Sequence, residues 1–118
     1  MTDSTVRIDI ADLPAAVRQF VAALDARDTA AVAGILTPQA SVTDEGRTHT
    51  GIPSITKWIA DAASAFTYTT TPVAAERAGT DRFTLSQHLE GDFPGGSVDL
   101  HYRFTLEGAL ISNLVIAP

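Results

Sequence analysis

The sequence predicts an α+β domain: three N-terminal helices packed on a strongly curved, mostly antiparallel β-sheet. Three observations carry this expectation. Apolar residues recur at helical spacing in the first half of the chain, as in Val17, Phe20, Val21 and Leu24. From Phe66 onward the period shortens to two and stays there. The turn signals Gly79-Thr80-Asp81, Phe93-Pro94-Gly95-Gly96 and Glu107-Gly108 separate these alternating runs, the pattern of helices gathered on one face of a sheet.

In chain order, residues 1–12 read as an N-terminal arm and 13–118 as a single domain. Val6, Ile8 and Ile10 alternate within the arm, which suits an edge strand. Asp12 is placed to cap a helix over 14–26, with Pro14 in its first turn. Asp28 caps a shorter helix over 29–36, which Pro38 stops. A short strand over 40–44 ends in Asp44, and a polar turn and second short strand occupy 45–50. Gly51 breaks the chain before a third helix over 52–65, whose stripe is Ile55, Trp58, Ile59 and Ala62. Strands follow over 66–78, 82–90, 97–106 and 110–116. The last is apolar on both faces, which predicts a central or doubly covered strand.

The totals exclude several classes. A chain of 118 residues has room for one core. With 45% hydrophobic and 19% charged residues it has the composition of a folded domain. A net charge of −6 with no Lys/Arg cluster argues against nucleic-acid or anionic-membrane partners. There is no cysteine, so neither a disulfide nor a thiolate zinc site can form, which fits a cytoplasmic location. The polar, acidic N-terminus is not a signal peptide, and no apolar run reaches the ~20 residues that span a bilayer. Three scattered histidines without H-x-H or H-E-x-x-H predict no metal. Phosphate-binding glycine motifs and a G-x-S-x-G nucleophile are missing too, so no cofactor is expected.

The stretch from Ala40 to Trp58 organises the candidate site. Asp44 and Trp58 are expected to face one apolar cavity, Asp44 as a general base whose burial lifts its pKa. Its plainer role is a strand-end acid in the Asp44-Glu45-Gly46 turn. Trp58 would stack on a flat ligand and offer its indole N–H. Gln87 interrupts the apolar face of Phe83, Leu85 and Leu89. Tyr102 shares a face with Leu100 and Phe104. Asn113 interrupts Ile111 and Val115. Each is a candidate ligand contact, along with the wall residues Phe20, Leu85 and Leu100. His49 is expected to be exposed. Parity puts His88, His101 and Asp99 on the opposite, outer sheet face.

The segments V-R-Q-F-V-A-A-L-D-A-R-D, A-S-V-T-D-E-G, G-I-P-S-I-T-K-W-I and H-Y-R-F-T-L-E-G-A-L-I-S-N-L resemble the NTF2-like superfamily. This is the cone-shaped fold of SnoaL-type polyketide cyclases and ketosteroid isomerase, and the resemblance spans residues 15–116. It implies an internal cavity and a homodimer formed through the outer sheet face. Asp44 sits where ketosteroid isomerase carries its base. The positions of that family's two oxyanion donors match Phe20 and Leu100, which cannot donate, so steroid isomerase activity is not expected. The His/Asp pattern of SnoaL-type cyclases has no residue-by-residue match. Two functions stand side by side. One is a SnoaL-like protein that binds a small hydrophobic molecule and performs cofactor-independent acid–base chemistry of isomerase, cyclase or dehydratase type. The other is a non-enzymatic ligand-binding or dimerisation module.

Overall fold

The computed structural model describes residues 5–65 and 67–118. In chain order it contains β1 (Thr5–Ile8), a 3-10 turn (Ile10–Asp12), α1 (Ala15–Ala26), α2 (Thr29–Ala33), β2 (Leu36–Asp44) and β3 (Arg47–Thr50). There follow α3 (Ile52–Ala65), β4 (Tyr68–Ala78), β5 (Arg82–Gly91), β6 (Ser97–Glu107) and β7 (Leu110–Ala117). The strands form one open seven-stranded sheet in the order β1-β4-β5-β6-β7-β2-β3. Neighbours are antiparallel except β2 and β7, which run parallel. The helices lie on one face of this sheet, as the α+β pattern requires.

Local chemistry accounts for the boundaries. Asp28 caps α2 by accepting a hydrogen bond of 3.1 Å from the Ala31 N–H. Asp12 does not cap α1: it lies in the 3-10 turn, and Pro14 stands at the N-cap without a side-chain bond. α2 ends at Ala33, and β2 begins at Leu36, earlier than the predicted strand at 40. Pro38 therefore sits inside a strand. It is tolerated because the register against β7 shifts between Leu36 and Ser41, an irregularity where a missing N–H breaks no regular ladder. β1 pairs with β4 at the sheet edge, in line with the alternation of Val6 and Ile8. β7 lies between β6 and β2, the central position its sequence predicts.

The core forms where the helix stripes meet the inner sheet face. Val17, Phe20, Val32, Ile55 and Ile59 pack against Ala40, Val42, Leu85, Phe104, Ile111 and Leu114. Phe20 meets Phe104 edge to face, with ring centroids 5.7 Å apart at 75°. Along β5, Phe83, Leu85, Gln87 and Leu89 are all buried, so the period of two holds over its full length.

Gly91 closes β5 opposite Tyr68. A Cβ there would lie 2.5 Å from the Tyr68 Cβ and 2.8 Å from its Cα, so only glycine lets the two strands approach. Gly91→Ala is expected to destabilise the fold by about 1–3 kcal/mol, the usual cost of forced overpacking. Urea unfolding of the variant checks this; an unchanged midpoint would contradict the close approach.

Candidate functional site

Asp44 owes its position to strand parity and a tight turn. Ala40 and Val42 are fully buried, so Asp44, two residues on, also points to the inner face. Glu45 (φ 53°) and Gly46 (φ 75°) then reverse the chain in two residues, with Asp44 paired to Arg47. Two consecutive positive φ angles are the mark of a hairpin turn that matches strand twist. Gly51 (φ 86°) next swings the chain into α3, and buried Ile55 and Ile59 anchor that helix. Trp58 lies beside Ile59 and returns toward β2. Its Nε1–H donates to Asp44 Oδ2 at 3.2 Å.

This contact changes the expected role of Trp58, because the indole proton is engaged by Asp44. His49 is also placed differently from expectation. It is half-buried, and its ring lies over Trp58 with centroids 6.0 Å apart at 30°. Partial burial raises the Asp44 carboxyl above its ordinary 3.8. The Trp58 hydrogen bond opposes that rise, the Glu45 charge adds to it, and His49 and the Glu45 backbone oppose it.

The sheet register builds a row across the inner face. Leu85 pairs with Tyr102, Tyr102 with Ile116, and Ile116 with Asp44. Tyr102 is 4% exposed, and burial drives its hydroxyl pKa far up, so it keeps its proton. Tyr68, Asp44 and Asp25 push the same way, while the neighbouring Gln87 side chain pulls down. Gln87 is 1% exposed, and its Oε1 has no hydrogen-bond partner among the described residues.

A pocket of about 290 Å³ opens where α1 ends and β4 begins. Leu24, Asp25, Arg27, Tyr68, Thr69 and Thr70 line it, and none of these was a sequence candidate. Thr70 Oγ1 donates to Asp25 Oδ1 at 3.3 Å. Burial raises the Asp25 carboxyl, with the Thr70 bond opposing. Burial also raises the Tyr68 hydroxyl, and the charges of Asp25 and Asp44 both contribute. Asp25, Tyr68, Tyr102 and Asp44 thus share one electrostatic environment, reaching from the pocket to the end of β2. One signal in the sequence pointed here. A carboxylate in the last turn of a helix opposes the helix dipole, and Asp25 occupies that place in α1.

The other sequence candidates divide by face. Phe20 is fully buried against Phe104, and Leu85 lies in the inner row beside Tyr102. Leu100 is partly buried against the core and pairs with Gln87. Asn113 is a correction: its Nδ2 donates to Ser41 Oγ at 2.7 Å, and Ser41 and Asn113 pair on the outer face. The cause is a register shift between β6 and β7, where Thr105 pairs with Asn113 but Leu106 with Ile111. The extra residue, Ser112, reverses parity, so Ile111 faces in and Asn113 out. His88 and His101 lie on the outer face, as parity predicts. His88 Nδ1 is 2.6 Å from Asp99 Oδ1 and its Nε2 is 3.1 Å from Glu90 Oε1, which raises its pKa. His101 Nδ1 is 2.7 Å from Ser86 Oγ. Among the described residues no cluster of three His, Asp or Glu side chains could hold a metal ion.

Helices laid across the inner face of an open, mostly antiparallel sheet define the NTF2-like cone fold. Within that fold the chain belongs to the SnoaL-like domain family, which matches residues 17–113. A Sinorhizobium meliloti protein named as a polyketide cyclase is 32% identical, with 93% of this chain and 100% of that chain covered at a TM-score of 0.85. A Catenulispora acidiphila protein with a ketosteroid isomerase-like fold, in complex with trimethylamine, is 22% identical, with coverage of 89% and 85% and a TM-score of 0.77. A Mycobacterium tuberculosis protein in complex with estradiol-17β-hemisuccinate is 14% identical, with coverage of 87% and 90% and a TM-score of 0.72. No curated protein matches the sequence. No helix among the described residues is long and apolar enough to cross a membrane.

Both Asp44 and Asp25 have raised pKa values, which sets the sign of the pH dependence. Below 3.8 both are protonated whether the chain is folded or not, and neither costs stability. As pH climbs from 3.8 to the raised folded values, the unfolded chain ionises first and stability falls; above them both states are ionised and the loss is complete. Asp44→Asn removes one contribution while keeping an acceptor for Trp58. After solvent screening of a half-exposed group, the variant should gain up to about 1 kcal/mol near neutral pH. Urea unfolding across the acid-to-neutral range checks this; a variant less stable than the parent at neutral pH would contradict it.

Proposed function

We propose that this protein takes a small hydrophobic molecule onto its inner sheet face and moves a proton on it without a cofactor. The reaction is of isomerase, cyclase or dehydratase type, with Asp44 as proton acceptor. The observation that carries this reading is the raised carboxyl of Asp44 on the inner face. A carboxylate partly stripped of water is a stronger base, with a working range closer to neutral. The Trp58 N–H holds one Asp44 oxygen, and an ionised carboxylate keeps further lone pairs to accept a proton. We take the pocket between the end of α1 and the start of β4 as the way in. Phe20, Trp58, Leu85, Gln87, Leu100 and Tyr102 are the walls the ligand meets. Phe20 and Leu100, at the positions the resemblance matches to the steroid isomerase's two donors, are apolar, so steroid isomerisation is not the reaction we propose.

The assay is exchange of the α-hydrogens of β-tetralone, a small apolar carbon acid, followed by NMR in D2O. The wild-type protein should accelerate exchange, and Asp44→Asn should reduce that acceleration about a hundredfold or more. Quenching of Trp58, the sole tryptophan, should show that the ketone still binds the variant. Binding without catalysed exchange in the wild type would leave the non-enzymatic ligand-binding module instead. The outer face of β5 to β7, with its polar His88, Asp99 and His101, is the surface through which two copies pair. Light scattering at micromolar concentration should return a dimer mass, and a monomer would remove that part of the proposal.

A further inference from the structure

We infer that Gln87, together with Tyr102, recognises a hydroxyl group at the end of the ligand remote from Asp44. The inference rests on the reading that a ligand occupies the inner face, and it adds a chemical requirement to that ligand. Gln87 interrupts the otherwise apolar buried run of Phe83, Leu85 and Leu89. It is 1% exposed, and its Oε1 has no partner among the described residues. A buried amide oxygen without a donor is costly, and native structures rarely retain one without a purpose. Its cross-strand neighbours, Pro72 on β4 and Leu100 on β6, have no side-chain donor.

The Oε1 calls for a ligand group that donates. The Gln87 side chain lies against the Tyr102 hydroxyl, which keeps its proton and can donate to a group that accepts. A hydroxyl does both at one oxygen. A ketone or ether oxygen only accepts, and a methyl group does neither. Position adds a second constraint. Gln87 is on β5 and Asp44 on β2, with β6 and β7 between them. That is three strand spacings, roughly 14 Å along the sheet and less across its curve. The hydroxyl therefore sits at the opposite end of the molecule from the carbon that loses a proton. The ligand class is a hydroxylated ring compound, phenolic or alcoholic, with an acidic C–H at its other end.

The test uses three probes: β-tetralone, the same ketone with a phenolic hydroxyl on its far ring, and the methoxy analogue, which accepts but cannot donate. Their affinities are measured by Trp58 quenching in wild type, Gln87→Leu and Gln87→Met. The hydroxylated probe should bind about tenfold tighter than the other two, and the preference should vanish in both variants. Equal binding of all three probes in the wild type would overturn the inference while leaving Asp44 chemistry intact. A preference that survives in either folded variant would also overturn it. Failure of every probe to bind would remove the inner-face ligand itself, and this inference with it. Should both variants fail to fold, the wild-type comparison alone still decides.

Discussion

The parallel pairing of β2 with β7 is the constraint on which the rest of the molecule depends. It joins the helical first half of the chain to the strands of the second half. α3 and the whole β4–β5–β6 meander lie between the two partners in sequence, so the pairing closes a long loop before any local contact repays it. Once made, it fixes the register of Asp44 on Ile116, and through Ile116 on Tyr102 and Leu85. A slip of one residue would turn Asp44 to the outer face and expose Val42. The fully buried Ala40 and Val42 on β2, and Leu114 on β7, hold the register against such a slip.

The site built on this register works against stability. Burying carboxylates, and an amide oxygen that has no partner among the described residues, is unfavourable, and the surrounding core of Val17, Phe20, Phe104 and Leu114 offsets that cost. The Trp58 hydrogen bond recovers part of the desolvation at Asp44 and fixes the direction of its carboxyl. The carboxyl still stays above its ordinary value, so the contact orients the acid without fully stabilising its charge. Such a group, partly stripped of water and held by one donor, is suited to accept a proton from a weak carbon acid. The polar rim at Asp25, Tyr68 and Thr70 contrasts with the apolar interior.

Much of this was readable before any coordinates. The change of period at Phe66, the turns at Gly79, Gly95 and Gly108, and the alternation of β5 and β6 all report local rules. They placed Gln87 and Tyr102 on the inner face and His88 and His101 on the outer one. The failures share a cause: each turned on a pairing with a distant strand. Pro38 looks like a breaker, yet β7 tolerates it in an irregular stretch of β2. Asn113 seemed to share a face with Ile111 until the shift against β6 inserted Ser112 between them. The rim pocket needs the end of α1 beside the start of β4, elements more than forty residues apart, and no periodicity reports that. Trp58 was recognised as an inner aromatic, but its bond to Asp44 depends on how α3 docks against β2.

The central claim is that Asp44 is a partly desolvated inward acid steadied by the Trp58 indole. Its most direct test is the carboxyl carbon resonance of Asp44, followed by NMR through an acid titration in the parent chain and in Trp58→Phe. The account predicts a midpoint above 3.8 in the parent and a higher one in the variant, because the opposing hydrogen bond is lost. A midpoint at or below 3.8, unmoved by the substitution, would mean a solvated surface carboxylate and would contradict the account.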